Sequence, residues 1–243
     1  MRRGRGMTSA LVIAGLIALA LAWAYGVIGA APTPPGARIV QPARPLAAPA
    51  NAPVRVLVLG TSLSSRGTWI EALEGELGAC PSRKITVGRL ARPGGASSWG
   101  AAALAAYYAD PSQPKPDVVV VEFSGNDASP YNGFPLFVSK RHHQRIIDLA
   151  QSHGAAVFLA TMSPAWGQNA WERPGQARYH ALYRDLARDQ GLGLIDTIED
   201  WRALAGSERK TLVPDGLHPS DTAMRTITVP AFYEALMAYL CQA

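Results

Sequence analysis

From Val54 onward the chain alternates short apolar, β-branched runs with longer stretches of helical periodicity, which restricts it to β-α units arranged around a parallel sheet. The strand candidates are Val54 to Gly60, Ile85 to Leu90, Asp117 to Phe123, Ala155 to Thr161 and Leu192 to Asp196. Helical candidates fall at about Gly67 to Leu77, Ser98 to Tyr108, Phe134 to Ser152, Arg173 to Asp189 and Ser220 to Leu240. Val118 to Val121 is wholly apolar, as a central strand covered on both faces requires. The pattern predicts a flavodoxin-like three-layer α/β sandwich with a five-stranded parallel sheet, one domain over residues 54–243.

The residues before Val54 read differently. Ala10 to Ala31 is an uncharged, mostly apolar run of 22 residues behind Arg2, Arg3 and Arg5, a pattern that predicts a cytoplasmic Arg-rich tip and a transmembrane helix acting as a signal anchor over residues 1–31. Gly29, Ala30 and Ala31 are small enough for a cleavage site, so a removed signal peptide is the competing reading. Either places the domain outside the cytoplasm, periplasmic in a Gram-negative cell and secreted if the segment is cleaved. Residues 32–53 hold seven prolines and no acidic residue, and predict an extended tether. The formal charge of +5 comes entirely from Arg2, Arg3, Arg5, Arg38 and Arg44, which leaves the domain formally neutral and argues against a nucleic-acid partner.

In open parallel sheets ligands bind beyond the carboxyl ends of the strands, so the residues there are the ones to inspect for chemistry. The first strand runs into Gly60-Thr61-Ser62-Leu63, the second into Arg92-Pro93-Gly94-Gly95-Ala96-Ser97 and the third into Ser124-Gly125-Asn126-Asp127. Pro214-Asp215-Gly216-Leu217-His218-Pro219 precedes the last helix. A serine hydroxyl needs a base that is itself oriented by a third group, and the three-residue offset of Asp215 and His218 suits that pairing. Attack on an ester creates an oxyanion, for which the N–H of Ser62, the N–H of Gly95 and the amide of Asn126 are candidate donors. A capping or Asx turn is the plainer explanation of Ser97, Ser98, Asn126 and Asp127 taken singly.

These four segments together resemble the SGNH, or GDSL-type, hydrolase and esterase superfamily, and the resemblance spans about Val54 to Leu240. It implies Ser62 as nucleophile, Gly95 and Asn126 as oxyanion donors, and Asp215 and His218 as orienter and base. The run Gly95-Ala96-Ser97-Ser98 fits the family pattern better than one starting at Gly94. Thr61 departs from the pattern, standing where the family usually has Asp, and puts the local positioning of Ser62 in question.

No zinc spacing and no phosphate-binding loop occur, so neither metal nor cofactor is expected. Trp166 and Trp171, beyond the fourth strand, are candidates for stacking on a sugar ring, with packing of the loop as the alternative. Cys80 and Cys241 each follow a helix expected on the same sheet face, which predicts a disulfide between them. The expected function is an exported, membrane-tethered esterase that removes acetyl or other small acyl groups from a carbohydrate, with exopolysaccharide assembly machinery as a further partner. A polysaccharide O-acyltransferase using the same residues and an inactive glycan-binding module are the alternatives.

Overall fold

The computed structural model describes residues 4–129, 131 and 133–241. Arg2 and Arg3 of the expected cytoplasmic tip lie outside the described residues. The strands are β1 (Ile39–Val40), β2 (Val54–Gly60), β3 (Ile85–Ala91), β4 (Val118–Glu122), β5 (Ala156–Thr161) and β6 (Gly193–Asp196), in the sheet order β1-β6-β5-β4-β2-β3. β2 to β6 are parallel, whereas β1 runs antiparallel to β6 with Ile39 opposite Ile195.

The period-two alternation of the strands divides two apolar cores. Val54, Val56 and Val58 of β2 face one side, with Val118, Val120, Phe158 and Ile195, and are covered by the helices Trp69–Leu77 and Val229–Leu240. Leu57 and Leu59 face the other, with Val119, Val121, Val157 and Leu159, under helices Ser97–Ala109, Leu136–Ser152 and Gln176–Gln190. Trp69 meets Phe232 edge to face at 5.2 Å, joining the first and last helices of their layer. Cys80 and Cys241 form a disulfide at the ends of those same two helices.

Two expectations are corrected. The sheet has six strands and is mixed rather than five-stranded and parallel, because the proline-rich segment contributes β1. That segment lies along the domain: Asp196 N–H donates to Arg38 O at 2.7 Å, Ala43 N–H to Gly191 O at 2.9 Å and the Tyr239 hydroxyl to Arg44 O at 2.7 Å. Arg38 adds ion pairs to Asp200 at 2.9 Å and Glu234 at 3.0 Å.

The second correction concerns the transmembrane helix. Among the described residues no helix is long and apolar enough to cross a membrane. The N-terminal helix spans Gly4–Ala24, so it takes up only the part of the apolar run from Ala10 to Ala24. At 1.5 Å per residue that part is about 22 Å long, short of the roughly 30 Å of a hydrocarbon core. The helix ends because the chain turns: Gly26 has φ 68°, and a Cβ there would meet Arg178 Cδ at 2.6 Å. Gly175 accepts the close approach of this turn, since a Cβ at that position would lie 2.0 Å from Tyr25 O.

Candidate active site

Parallel register brings the carboxyl ends of β2 and β4 level, with Gly60 opposite Glu122. Immediately beyond Gly60 the chain enters the short helix Ser62–Ser65, whose first residue is Ser62 and whose cap is Thr61. Ser62 is 6% exposed, and its N–H heads the helix without an intrahelical partner. Its hydroxyl lies 2.9 Å from His218 Nε2, and His218 Nδ1 lies 2.7 Å from Asp215 Oδ2. With Nδ1 protonated toward the carboxylate, Nε2 is left to accept the serine proton.

The loop carrying Asp215 and His218 is held by its own backbone. Asp215 Oδ1 accepts the N–H of Leu217 at 2.9 Å and of His218 at 2.6 Å, an Asx turn that leaves Oδ2 free for the imidazole. Partial burial raises the Asp215 carboxyl, but the backbone and ring donors of His218 and the N–H of Leu217 outweigh it and bring it down to about 2. From outside, Asn169 Nδ2 donates to Asp215 O at 2.8 Å and Trp166 N–H to Gly216 O at 2.7 Å.

The oxyanion candidates present a more specific picture. Asn126 belongs to the short helix Ser124–Asp127 beyond β4, and its Nδ2 donates to Gly95 O at 2.8 Å, which fixes the amide and leaves its second N–H to donate elsewhere. Gly95 N–H is itself bonded to Arg92 O at 2.9 Å, closing a turn through Gly94 at φ 69°. Of the three candidates, Gly95 is therefore the donor already engaged. Asp127, fully buried, locks the two loops together by accepting Ser97 N–H at 2.8 Å, Ser97 Oγ–H at 2.5 Å and Ser139 Oγ–H at 2.6 Å.

Glu122 was not singled out in the sequence, where it ends an apolar run. It is 2% exposed beneath the Ser62 turn and accepts the N–H of Thr61 at 2.9 Å, the Thr61 hydroxyl at 2.9 Å and the Ser64 hydroxyl at 3.1 Å. Burial pushes its carboxyl up to about 7 despite those donors, with Asp127 adding to the rise. Gly60 leaves room for this network: a Cβ there would meet Ser64 Oγ at 2.5 Å and Glu122 Oε2 at 2.7 Å. The signal available in sequence was an acid directly after the wholly apolar run Val118 to Val121.

Two depressions flank the Asp215–His218 loop. A cavity of about 100 Å³ adjoins Ser62, Leu63, His218, Pro219 and Met224. On the other side a cleft of about 650 Å³ is bounded by Trp166, Gln168, Asn169, Arg209, Lys210 and Asp215. Trp166 lines this cleft, with the Arg209 guanidinium 3.9 Å above its ring, whereas Trp171 is 86% exposed and does not line it. Among the described residues no group of three His, Cys, Asp or Glu side chains converges as a metal site would require.

A sequence profile of the GDSL-like lipase/acylhydrolase family matches residues 57–226, the stretch that carries all four site segments. The chain belongs to that family. As a GDSL-like acylhydrolase it is a serine hydrolase acting on ester bonds. Solved structures with the same fold include a lipase/acylhydrolase from Enterococcus faecalis, at a TM-score of 0.64 and 20% identity over 76% of this chain and 96% of that one. The acetyl xylan esterase AlAXEase is similar at a TM-score of 0.61 and 21% identity, over 75% of this chain and 100% of that one. A carbohydrate acetylesterase family member from Sinorhizobium meliloti is similar at 0.60 and 18%, over 77% of this chain and 99% of that one. No curated protein sequence matches the chain.

Proposed function

We propose that this acylhydrolase removes acetyl or similarly small acyl groups from a carbohydrate, outside the cytoplasm, through an acyl-enzyme on Ser62. The observation that carries the reading is the relay from Ser62 Oγ through His218 to Asp215, at 2.9 and 2.7 Å. His218 Nε2 takes the serine proton as Oγ attacks the ester carbonyl, and the resulting oxyanion is held by the Ser62 N–H and the Asn126 amide. Collapse of the intermediate expels the sugar alkoxide, which receives the proton from His218. Water then attacks the acyl carbon and gives a proton to His218, and the acid leaves as His218 returns that proton to Ser62 Oγ.

The cavity of about 100 Å³ beside Ser62 supports a small acyl group, since a long chain would have no enclosed volume to fill there. The acetyl xylan esterase and carbohydrate acetylesterase among the structural neighbours support a sugar as the alcohol. The Cys80–Cys241 disulfide supports an oxidising compartment. The test is acetate release from acetylated glycans by the purified protein, with fluorophosphonate labelling of Ser62. Ser62→Ala is expected to abolish both. Acetyl transfer to a sugar acceptor in preference to water would replace hydrolysis by acyl transfer, and binding of glycan without either reaction would overturn the reading.

A further inference from the structure

The charge around the site does not match the charge of the domain. Residues 54–243 are formally neutral, whereas the two depressions beside His218 set Arg66, Arg209 and Lys210 against Asp215, Glu172 and Asp221, the last two of which are already paired with Arg173 and Arg225. Arg66 lines the small cavity with Ser62 and His218 and, among the described residues, its side chain meets no carboxylate. Asp221 on the same wall is already committed, accepting Thr68 N–H at 2.9 Å, the Thr68 hydroxyl at 2.8 Å and Arg225 Nε at 3.2 Å.

The larger cleft repeats the imbalance on the other side of His218. Lys210 is exposed and, among the described residues, carries no ion pair. Arg209 spends one nitrogen on Leu204 O at 3.1 Å and lays its guanidinium over Trp166, and among the described residues it meets no acid. Of the acids on that wall, Asp215 is engaged by His218 and Glu172 lies 3.8 Å from Arg173. The volume of about 650 Å³ falls within the roughly 300–1,000 Å³ range of small-molecule sites. Cations that no carboxylate engages attract anions to the wall they line, and a guanidinium recognises a carboxylate through paired donors.

We propose that the glycan taken by this site is anionic, a carboxylated sugar polymer whose ester sits over Ser62 while its carboxylates meet Arg66 on one side and Arg209 and Lys210 on the other. The inference rests on the esterase reading above and adds the substrate's charge. It also assigns Arg66 and Lys210 as specificity-determining residues, which bind the polymer without touching the reacting atoms.

The test compares kcat/KM of the full chain on O-acetylated polygalacturonate and on O-acetylated glucomannan, with p-nitrophenyl acetate as a third substrate. At low ionic strength the acidic glycan is expected to be preferred by about tenfold or more, and sodium chloride should erase the preference by raising its KM. The Arg66→Gln, Lys210→Gln double variant should cut the acidic-to-neutral ratio several-fold, again through KM. If the acetate ester is hydrolysed but the ratio is near one at low salt, or if the variant slows both glycans equally, this inference fails and the esterase reading stands. If p-nitrophenyl acetate and both glycans are left intact, the esterase reading itself fails and this one with it.

Discussion

Thr61 gives both of its donors to Glu122: its backbone N–H and its hydroxyl each lie 2.9 Å from Glu122 Oε2. The residue that departs from the family pattern thus has a definite task. It anchors the turn ahead of Ser62 to a buried acid on the neighbouring strand, and a neutral hydroxyl does so without adding a second negative charge. The same oxygen accepts Ser64, so both sides of Ser62 are tied to one carboxyl.

Restoring the usual acid should therefore harm this protein. Thr61→Asp places a second carboxyl against one that is 2% exposed, and the loss of the hydroxyl donor compounds the repulsion. We expect a loss of about 2 kcal/mol in unfolding free energy at pH 8, with a lower kcat. Urea denaturation measures the first, and an unchanged midpoint would refute the account given to Thr61.

Glu122→Gln should change how stability depends on pH. The folded carboxyl titrates at about 7, above its ordinary value of 4.5, so between those values the folded protein binds more protons than the unfolded chain. The resulting stabilisation of the wild type is complete below 4.5 and is lost as pH rises through 7. The interval corresponds to about 3 kcal/mol as an upper figure. The stability difference, wild type minus Glu122→Gln, should fall by up to that amount between pH 4 and pH 8, whereas a difference flat with pH would show that Glu122 does not titrate there.

Asp215→Asn should leave the fold intact and slow the reaction. Asp215, held at about 2, is ionised through the working range and fixes the proton on Nδ1 of His218. An amide in its place stabilises the wrong tautomer, for which a drop in kcat of about 10⁴ with little change in KM is expected. Steady-state kinetics on p-nitrophenyl acetate report it, and a loss confined to KM would remove Asp215 from the relay.

The parts of the fold legible in sequence were those with periodicity to read. Val54 to Gly60 and Val118 to Val121 announce strands, and the residues just past them lie at the carboxyl edge of the sheet, where the structure joins Ser62 to His218 and Asp215, and Asn126 to Gly95. Ile39–Val40 was not legible, since two residues in a proline-rich stretch carry no alternation and gain their place only from pairing with Ile195 and Leu194. The apolar run from Ala10 suggested a longer helix than forms. Its end is fixed by the docking of Gly26 on Arg178 and the approach to Gly175, contacts distant in sequence. Glu122 escaped notice for a similar reason, because its significance lies in the register that sets it against Gly60.

The Cys80–Cys241 disulfide closes a loop with a sequence separation of 161 residues, which in the chain-entropy picture predicts a stabilisation of about 5 kcal/mol. The bridge is not what docks the last helix, however. Phe232, Ala235, Leu236 and Leu240 are buried against the same core as Trp69, Leu73 and Leu77, and the Trp69–Phe232 contact involves neither cysteine. Reduction, or a Cys80→Ala, Cys241→Ala variant, should thus cost about 2–5 kcal/mol of unfolding free energy while the protein stays folded at 25 °C. The site should survive as well, because Ser62, His218 and Asp215 lie at the opposite, carboxyl end of the strands from the bridge, which sits just before β3 begins. Differential scanning calorimetry with and without reductant, alongside esterase assays at 25 °C, checks both halves. Loss of activity on reduction with the melting temperature unchanged would contradict a purely stabilising bridge.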